Sequence, residues 1–172
     1  MGGRVAALAA WGREHRGAVL ALTLVVAVLA LWRLAEPTYS DVRRAPAGTC
    51  FAEDPAVASA NKAGAVLVVP GTTQAQTVEC AAAHVWETAA VAVLPDSPGT
   101  PYSFDAIAEA ARAACADAFA AYVGRPLEGS TLSVTARHPT KEEWDGDERR
   151  VACLLVDPIA RAVTGSLRGA GR

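Results

Sequence analysis

The sequence predicts an α+β fold in which a small antiparallel sheet is packed by one main helix, stapled by disulfides and preceded by one transmembrane helix. Three observations carry this prediction. An uncharged apolar run lies near the N-terminus, all four cysteines come after it, and strand-like segments lie before and after one long amphipathic helix. The 172 residues suffice for one domain with attachments.

The apolar run covers residues 17–32, which contain no charged side chain and a single hydroxyl, on Thr23. As a helix it would span roughly 24 Å, somewhat less than the ~30 Å hydrocarbon core of a bilayer. Extension to residues 17–35 closes most of the gap if Arg33 reaches the interface beside Trp32. A cleaved signal peptide is the alternative, but bulky side chains stand where small cleavage-site residues belong. We therefore expect an uncleaved anchor.

The cysteines orient this anchor. Within residues 1–45 three arginines precede the apolar run 17–32 and three follow it, so the positive-inside rule does not decide. An even number of cysteines on one side of the span is typical of disulfides in an oxidising compartment. We expect a cytoplasmic tail at 1–16, the anchor at 17–35, a linker at 36–47 and an extracytoplasmic domain at 48–172. The chain would then be a single-pass protein of the cell membrane, with its N-terminus inside.

The first half of the domain contains two predicted strands and the main helix. One buried strand is expected at 65–70, before a Pro-Gly turn signal, and a second at 88–94, where the alanine content leaves a helix as the alternative. Apolar residues recur at three- and four-residue spacing over 104–122, which predicts a helix. Ser103 is its candidate N-cap, and Gly124 supplies its end.

Three further strands are predicted after the helix. The stretch "STLSVTARHP" (130–139) alternates apolar and polar residues, as a half-buried strand does. The stretch "RRVACLLVDP" (149–158) is apolar almost without a break, which indicates a central strand. The stretch "AVTGSLRG" (162–169) would return as an edge strand, with Arg168 facing solvent.

The cysteine spacings give little support to a metal site. There is no C-x-x-C pair, and the nearest metal-like pattern is Cys80 followed four residues later by His84. Zinc needs about four such ligands. The remaining histidines are His15, across the predicted membrane, and His138. We therefore expect neither a metal nor another cofactor.

Disulfides are the favoured role for all four cysteines. Four cysteines allow three connectivities, and the sequence leaves all three open. A cysteine on the apolar face of the helix points inward, where a bridge to a packed strand is natural. The preferred pairs, of which the second joins the helix to the central strand, are Cys50–Cys80 and Cys115–Cys153.

The stretch "HPTKEEWDGDERRVACLLVD" (138–157) concentrates charge around Trp144. The chain has neither a G-x-S-x-G nucleophile elbow nor the spacing of a calcium loop. We expect a solvated turn between two strands, with Trp144 covering the edge of the core. The alternative is an acid/base site that uses the carboxylates of this turn: Glu142, Glu143, Asp145, Asp147 and Glu148.

Several short motifs occur in a characteristic order. They are "GTCF", "VEC" followed after three intervening residues by His84, the helix "AAC…AFAAYVG", the charged stretch 138–157, and the ending "TGSLRGAG". Together they make residues 48–172 resemble the actinobacterial septum-formation domain family, a small cysteine-paired extracytoplasmic domain usually held by one transmembrane helix. The resemblance implies a cell-envelope protein associated with septation or division, and it brings no catalytic residues with it.

We therefore expect a non-enzymatic, membrane-anchored protein whose extracytoplasmic domain binds an envelope partner, either a protein or a cell-wall polymer. His84, Trp144 and Arg168 are the candidate partner-binding residues. The alternative is an envelope hydrolase or ligand-processing enzyme that uses the acidic turn around Trp144. Nucleic acid is excluded as a partner because residues 46–172 carry ten Lys and Arg against fifteen Asp and Glu, a balance of −5.

Overall fold

The computed structural model describes residues 16–34, 37–52, 61–71, 74–95 and 100–172. The chain divides into two compact units, Met1–Pro37 and Thr38–Arg172. The expected cytoplasmic tail lies almost entirely outside the described residues, and so does the C-terminal end of the expected anchor.

The first unit contains helix α1, Arg16–Leu34. Its described side chains, residues 20–29, are all exposed, and Thr23 is the one polar residue among them. The Thr23 hydroxyl donates to the carbonyl of Leu20 at 2.9 Å, so its polar group has a partner on the same helix. Within the described residues we find no helix that is both long enough and apolar enough to cross a membrane.

The second unit is built around a sheet that has seven strands in the described part of the chain. In chain order the strands are β1 Thr38–Asp41, β2 Cys50–Ala52, β3 Val66–Pro70, β4 Gln74–Val78, β5 Trp86–Val93, β6 Ser133–His138 and β7 Arg150–Val156. The described residues of this unit also form two helices, α2 at Phe104–Val123 and α3 at Lys141–Asp145. The fold is therefore α+β, as predicted.

The spatial order of the strands is β1-β4-β2-β5-β7-β6-β3. The predicted strands at 65–70, 88–94, 130–139 and 149–158 correspond to β3, β5, β6 and β7, and β7 is central, between β5 and β6. The sheet is not purely antiparallel, which corrects the prediction, because β3 pairs with β6 in parallel. A parallel pair needs a long connection, and the chain between β3 and β6 provides one through β4, β5 and α2.

The expected linker at 36–47 contains part of the domain. Strand β1 pairs antiparallel with β4 at the edge of the sheet. The turn that follows β1 buries Val42 and Ala45 in an apolar cluster with Phe51 and Trp86. Residues from position 38 onward thus belong to the folded unit, since these apolar side chains cover one face of the sheet.

Helix α2 covers the other face. Ser103 caps it as predicted, because the Ser103 Oγ accepts a 3.4 Å hydrogen bond from the Ala106 N–H, and Gly124 ends it in the left-handed conformation. Successive residues of a strand point to opposite faces, and β7 shows this clearly. Val151, Cys153 and Leu155 pack in the α2 cluster, whereas Ala152, Leu154 and Val156 pack in the cluster of Val42 and Phe51.

Both disulfides join separate elements of the unit. Cys115–Cys153 links α2 to β7, and Cys50–Cys80 links β2 to the loop after β4. These are the two pairs preferred from the sequence. In the chain-entropy model a bridge of this span stabilises a fold by about 3–4 kcal/mol, which suits a core built mainly from small side chains.

The segment 162–169 is not an edge strand, and this corrects the sequence prediction. Its one ladder contact is an isolated bridge between Val163 and His84. Gly165 and Gly169 have φ values of 81° and 67°. These left-handed conformations suit glycine and turn the chain out of an extended path. Side chains from β5 and α2 contact these residues instead.

Candidate functional site

Glu87 lies at the centre of a buried polar cluster. It stands on β5, and none of its side chain is exposed. Its Oε1 accepts hydrogen bonds from the hydroxyls of Tyr122 and Ser166, each at 2.5 Å. Its Oε2 accepts from the Leu167 N–H at 2.6 Å. One carboxylate therefore holds a strand, the end of a helix and the C-terminal residues together.

His84 is the second titratable member of the cluster described here. Its Nδ1 lies 3.0 Å from the Ala82 carbonyl oxygen, and its Nε2 lies 3.7 Å from Oε2 of Glu87. The second distance is too long for a hydrogen bond, so Glu87 acts on the ring through charge. Both side chains are fully buried.

The pKa values of the pair follow from these contacts. Burial raises the pKa of Glu87, but His84, Ser166, Tyr122 and the Leu167 N–H outweigh it and hold that pKa at about 2. Burial lowers the pKa of His84, but Glu87 and the Ala82 carbonyl raise it by more. The pKa of His84 therefore lies above the ordinary 6.5. Burial and the bond to Glu87 raise the pKa of Tyr122, which stays a donor. The cluster therefore favours a carboxylate beside an imidazolium.

The C-terminal segment, defined as residues 162–172, is fixed by backbone bonds around this cluster. The Gly165 N–H donates to the Cys80 carbonyl at 2.7 Å, and the Gly169 N–H donates to the Tyr122 carbonyl at 2.9 Å. Arg168 is exposed, with its guanidinium 4.3 Å from the centre of the Tyr122 ring. A cleft of about 430 Å³ opens along the segment and is lined by Ala83, Ala162, Val163, Thr164, Gly165, Ser166, Leu167, Ala170 and Arg172.

The structure separates the three candidate partner-binding residues. Arg168 is at the surface, whereas His84 is 1% exposed and acts inside the cluster. Trp144 lies by the first turn of α2, where it lines a second cleft of about 310 Å³ with Ile107. The cluster of His84 contacts the last turn of the same helix through Tyr122. The three residues therefore do not form one surface.

Trp144 is held inside rather than offered to solvent. It is 5% exposed, and its Nε1 donates to the Thr100 carbonyl at 2.9 Å. The Arg149 guanidinium lies 3.9 Å from the centre of its ring. The residues around it form helix α3 instead of the expected solvated turn, because Thr140 and Glu143 make a capping box.

The carboxylates of the acidic turn are engaged in ion pairs. Four of them pair with cations: Glu143 with Arg43, Asp145 with Lys141, Asp147 with Arg149 and Glu148 with Arg150. The Arg150 guanidinium outweighs burial and holds the pKa of Glu148 at about 2. A general acid at neutral pH needs a raised pKa. These four carboxylates therefore supply charges for structure, and Glu148 is not poised as a general acid.

Sequence reasoning missed Glu87, Tyr122 and Ser166. The available signal was one acidic residue inside the apolar stretch "VWETAAVAV", where a charge needs a buried partner. The ligand atoms of Cys50, His84 and Glu87 lie within 4.8 Å of one another. In the oxidised chain the sulfur of Cys50 is bonded to that of Cys80, so it is not a free thiolate.

Comparison with known proteins gives one match. No curated protein and no solved structure matches the chain significantly. The sequence model of one protein family, described as septum formation, matches residues 39–158. This range includes the whole sheet except the first residue of β1, and it contains both disulfides and Glu87. The match covers well over half of the 172 residues, and the chain therefore belongs to the septum formation family.

Proposed function

We propose that the chain is a non-enzymatic, single-pass membrane protein of the cell envelope, whose extracytoplasmic domain binds an envelope partner during septum formation. Membership of the septum formation family supports a role in cell division. The two disulfides support an oxidising compartment outside the cytoplasm. The partner is a protein or a cell-wall polymer.

The anchor in this proposal rests on the sequence. The run 17–35 is apolar from residue 17 to residue 32, and helix α1 covers most of it. The described side chains at 20–29 are exposed, and nine of these ten residues are alanine, valine or leucine. An exposed helical face of this composition suits a lipid environment, where every backbone polar group is satisfied within the helix.

The partner surface in this proposal is the C-terminal segment around Arg168. The observation that carries it is the contrast between an exposed guanidinium and the fixed backbone beneath it. Because Glu87 and Tyr122 already hold this backbone, binding would cost little further ordering. An arginine presented in this way recognises carboxylate or phosphate groups well. We therefore expect a partner with anionic groups.

The enzymatic alternative has less support. It depends on the acidic turn around Trp144, where four carboxylates are ion-paired. The triple variant Asp145→Asn, Asp147→Asn, Glu148→Gln tests it, since a hydrolase would lose its activity. The non-enzymatic proposal predicts that this variant, if folded, still supports septation in growing cells.

Partner binding can be tested with the full chain in detergent, by cross-linking in cells and by co-sedimentation with isolated cell walls. Arg168→Glu reverses the exposed charge, and we expect a loss of recovered partner of about tenfold or more. Arg112→Glu makes the same charge change at another exposed position, on α2, and should leave recovery unchanged. Equal recovery with both variants would exclude the surface around Arg168.

A further inference from the structure

The cluster around Glu87 contains the ligand types of a metal site, provided that Cys50 is a free thiolate and not half of a disulfide. The Cys50 sulfur, a ring nitrogen of His84 and a carboxylate oxygen of Glu87 lie within 4.8 Å of one another, and all three residues are buried. The sulfur of Cys80 is bonded to that of Cys50. Sulfur, imidazole and carboxylate are the ligand types that zinc takes in proteins.

The His84 ring is oriented as a metal ligand is. Its Nδ1 is within hydrogen-bond distance of the Ala82 carbonyl, which fixes a proton on that nitrogen in the neutral ring. The other nitrogen, Nε2, is buried and has no hydrogen-bond partner among the described residues. Metal-binding histidines typically donate their second N–H to a carbonyl or a carboxylate. In the neutral ring Nε2 therefore carries a free lone pair, 3.7 Å from Oε2 of Glu87.

Glu87 is held by an outer layer of donors. Tyr122, Ser166 and the Leu167 N–H fix both of its oxygens. Such outer contacts orient a ligating carboxylate and keep it ionised. The Glu87 carboxylate is therefore held in position before any ion binds.

We propose that reduction of the Cys50–Cys80 disulfide converts this cluster into a binding site for a thiophilic divalent cation such as Zn²⁺, with four ligands: Cys50, Cys80, His84 and Glu87. In the oxidised chain the two sulfurs share a covalent bond and offer no thiolate. Four ligands of this type complete a tetrahedral zinc site. The disulfide therefore acts as the gate of the site.

The redox step needs a dithiol reductant. The dithiol transfers two electrons to the Cys50–Cys80 bond, which breaks into two thiols, while the reductant closes its own disulfide. Cation binding then releases three protons to solvent, two from the thiols and one from Nε2 of the His84 imidazolium, so that His84 binds through its neutral ring. Cys80 is partly exposed, whereas Cys115 and Cys153 are fully buried. Mild reduction should therefore open the first bridge before the second.

The test uses the full chain in detergent and Co²⁺ as the probe, under anaerobic conditions. The chain is reduced with a dithiol until thiol titration gives two thiols, which corresponds to one opened bridge. We expect one equivalent of Co²⁺ to bind with a thiolate-to-cobalt charge-transfer band, and Zn²⁺ to displace it. The oxidised chain should show no band. A chain with two free thiols and no band would overturn the proposal.

Two variants assign the ligands. We expect His84→Gln to weaken Co²⁺ binding of the reduced chain by about tenfold or more. His138→Gln replaces the other buried histidine and should leave binding unchanged. Unchanged affinity in His84→Gln would overturn the ligand set. If that variant does not fold, the role of the disulfide is tested with the wild-type chain. Reoxidation should abolish the band, and a band that persists would overturn the proposal.

Discussion

The hydroxyl of Tyr122 donates a 2.5 Å hydrogen bond to Oε1 of Glu87, 35 residues earlier in the chain. This bond joins the last turn of α2 to the central part of the sheet. The same carboxylate accepts from Ser166 and from the Leu167 N–H, 79 and 80 residues away. One buried charge thus fixes the C-terminal segment that we propose as the partner surface.

Removal of the Tyr122 hydroxyl should weaken this junction. We expect Tyr122→Phe to lower the free energy of unfolding by about 1–2 kcal/mol, since the ring still packs while Glu87 loses one donor. Urea unfolding of the oxidised protein measures the change. Tyr39→Phe removes a hydroxyl from a residue that is 58% exposed and should have no effect. Equal changes in the two variants would contradict the role of the bond.

Replacement of Glu87 should have a larger effect. Glu87→Gln removes the buried charge and leaves His84 without its counter-ion, so we expect a loss of about 3 kcal/mol or more. The Leu167 amide should lose its protection against hydrogen exchange, because its acceptor is Oε2 of Glu87. The exposed Glu79 provides the control, Glu79→Gln. Full protection of Leu167 in Glu87→Gln would refute the role assigned to this carboxylate.

The two histidines that are buried in the described part of the chain, His84 and His138, should give opposite pH dependences. Burial, opposed by the Pro139 carbonyl and Glu143 and aided by Arg43, lowers the pKa of His138 below 6.5. As the pH falls, the unfolded chain therefore binds a proton at His138 at a higher pH than the folded chain does. His138 thus makes stability fall as the pH drops below about 6.5. The pKa of His84 is raised, so its contribution is present below 6.5 and is lost as the pH rises.

Single variants should therefore separate these two contributions in the oxidised protein. With His138→Gln, His84 remains, and the free energy of unfolding should increase from pH 8 to pH 6. With His84→Gln, His138 remains, and the free energy of unfolding should decrease from pH 8 to pH 6. The measurement is urea unfolding at several pH values. Slopes of the same sign in both variants would contradict the assigned shifts.

The capping box of α3 should contribute a smaller amount. The Thr140 Oγ1 accepts from the Glu143 N–H at 3.3 Å, and the Glu143 Oε2 accepts from the Thr140 N–H at 2.8 Å. We expect Thr140→Ala to lower the free energy of unfolding by about 1 kcal/mol. Thr131→Ala, at an exposed loop position, should change little. If Thr140→Ala is as stable as the wild type, the box does not hold Trp144 in place.

The elements that the sequence predicted are those with strong local patterns. Helix α2 has a regular apolar spacing and a serine cap, and β7 is apolar throughout. The weaker strands escaped prediction because they are short or polar. Strand β1, with the sequence Thr-Tyr-Ser-Asp, has no alternation of apolar residues and is a strand only because β4 pairs with it.

The candidate site depends on contacts that no local pattern encodes. Glu87, Tyr122 and Ser166 belong to three separate segments, and the folded sheet brings them together. The sequence predicts an edge strand at "AVTGSLRG" (162–169). Two left-handed glycines and the hydrogen bonds to Glu87 determine its path instead.

The subcellular localisation of the protein in growing cells tests the proposed function most directly. A fluorescent tag at the N-terminus, on the proposed cytoplasmic side, allows the full-length protein to be followed through the division cycle. The account predicts a signal in the cell membrane that concentrates at forming septa in wild type and in Arg112→Glu, and that spreads along the membrane in Arg168→Glu. A uniform wild-type signal at all stages of division, or a signal in the cytoplasm, would contradict it.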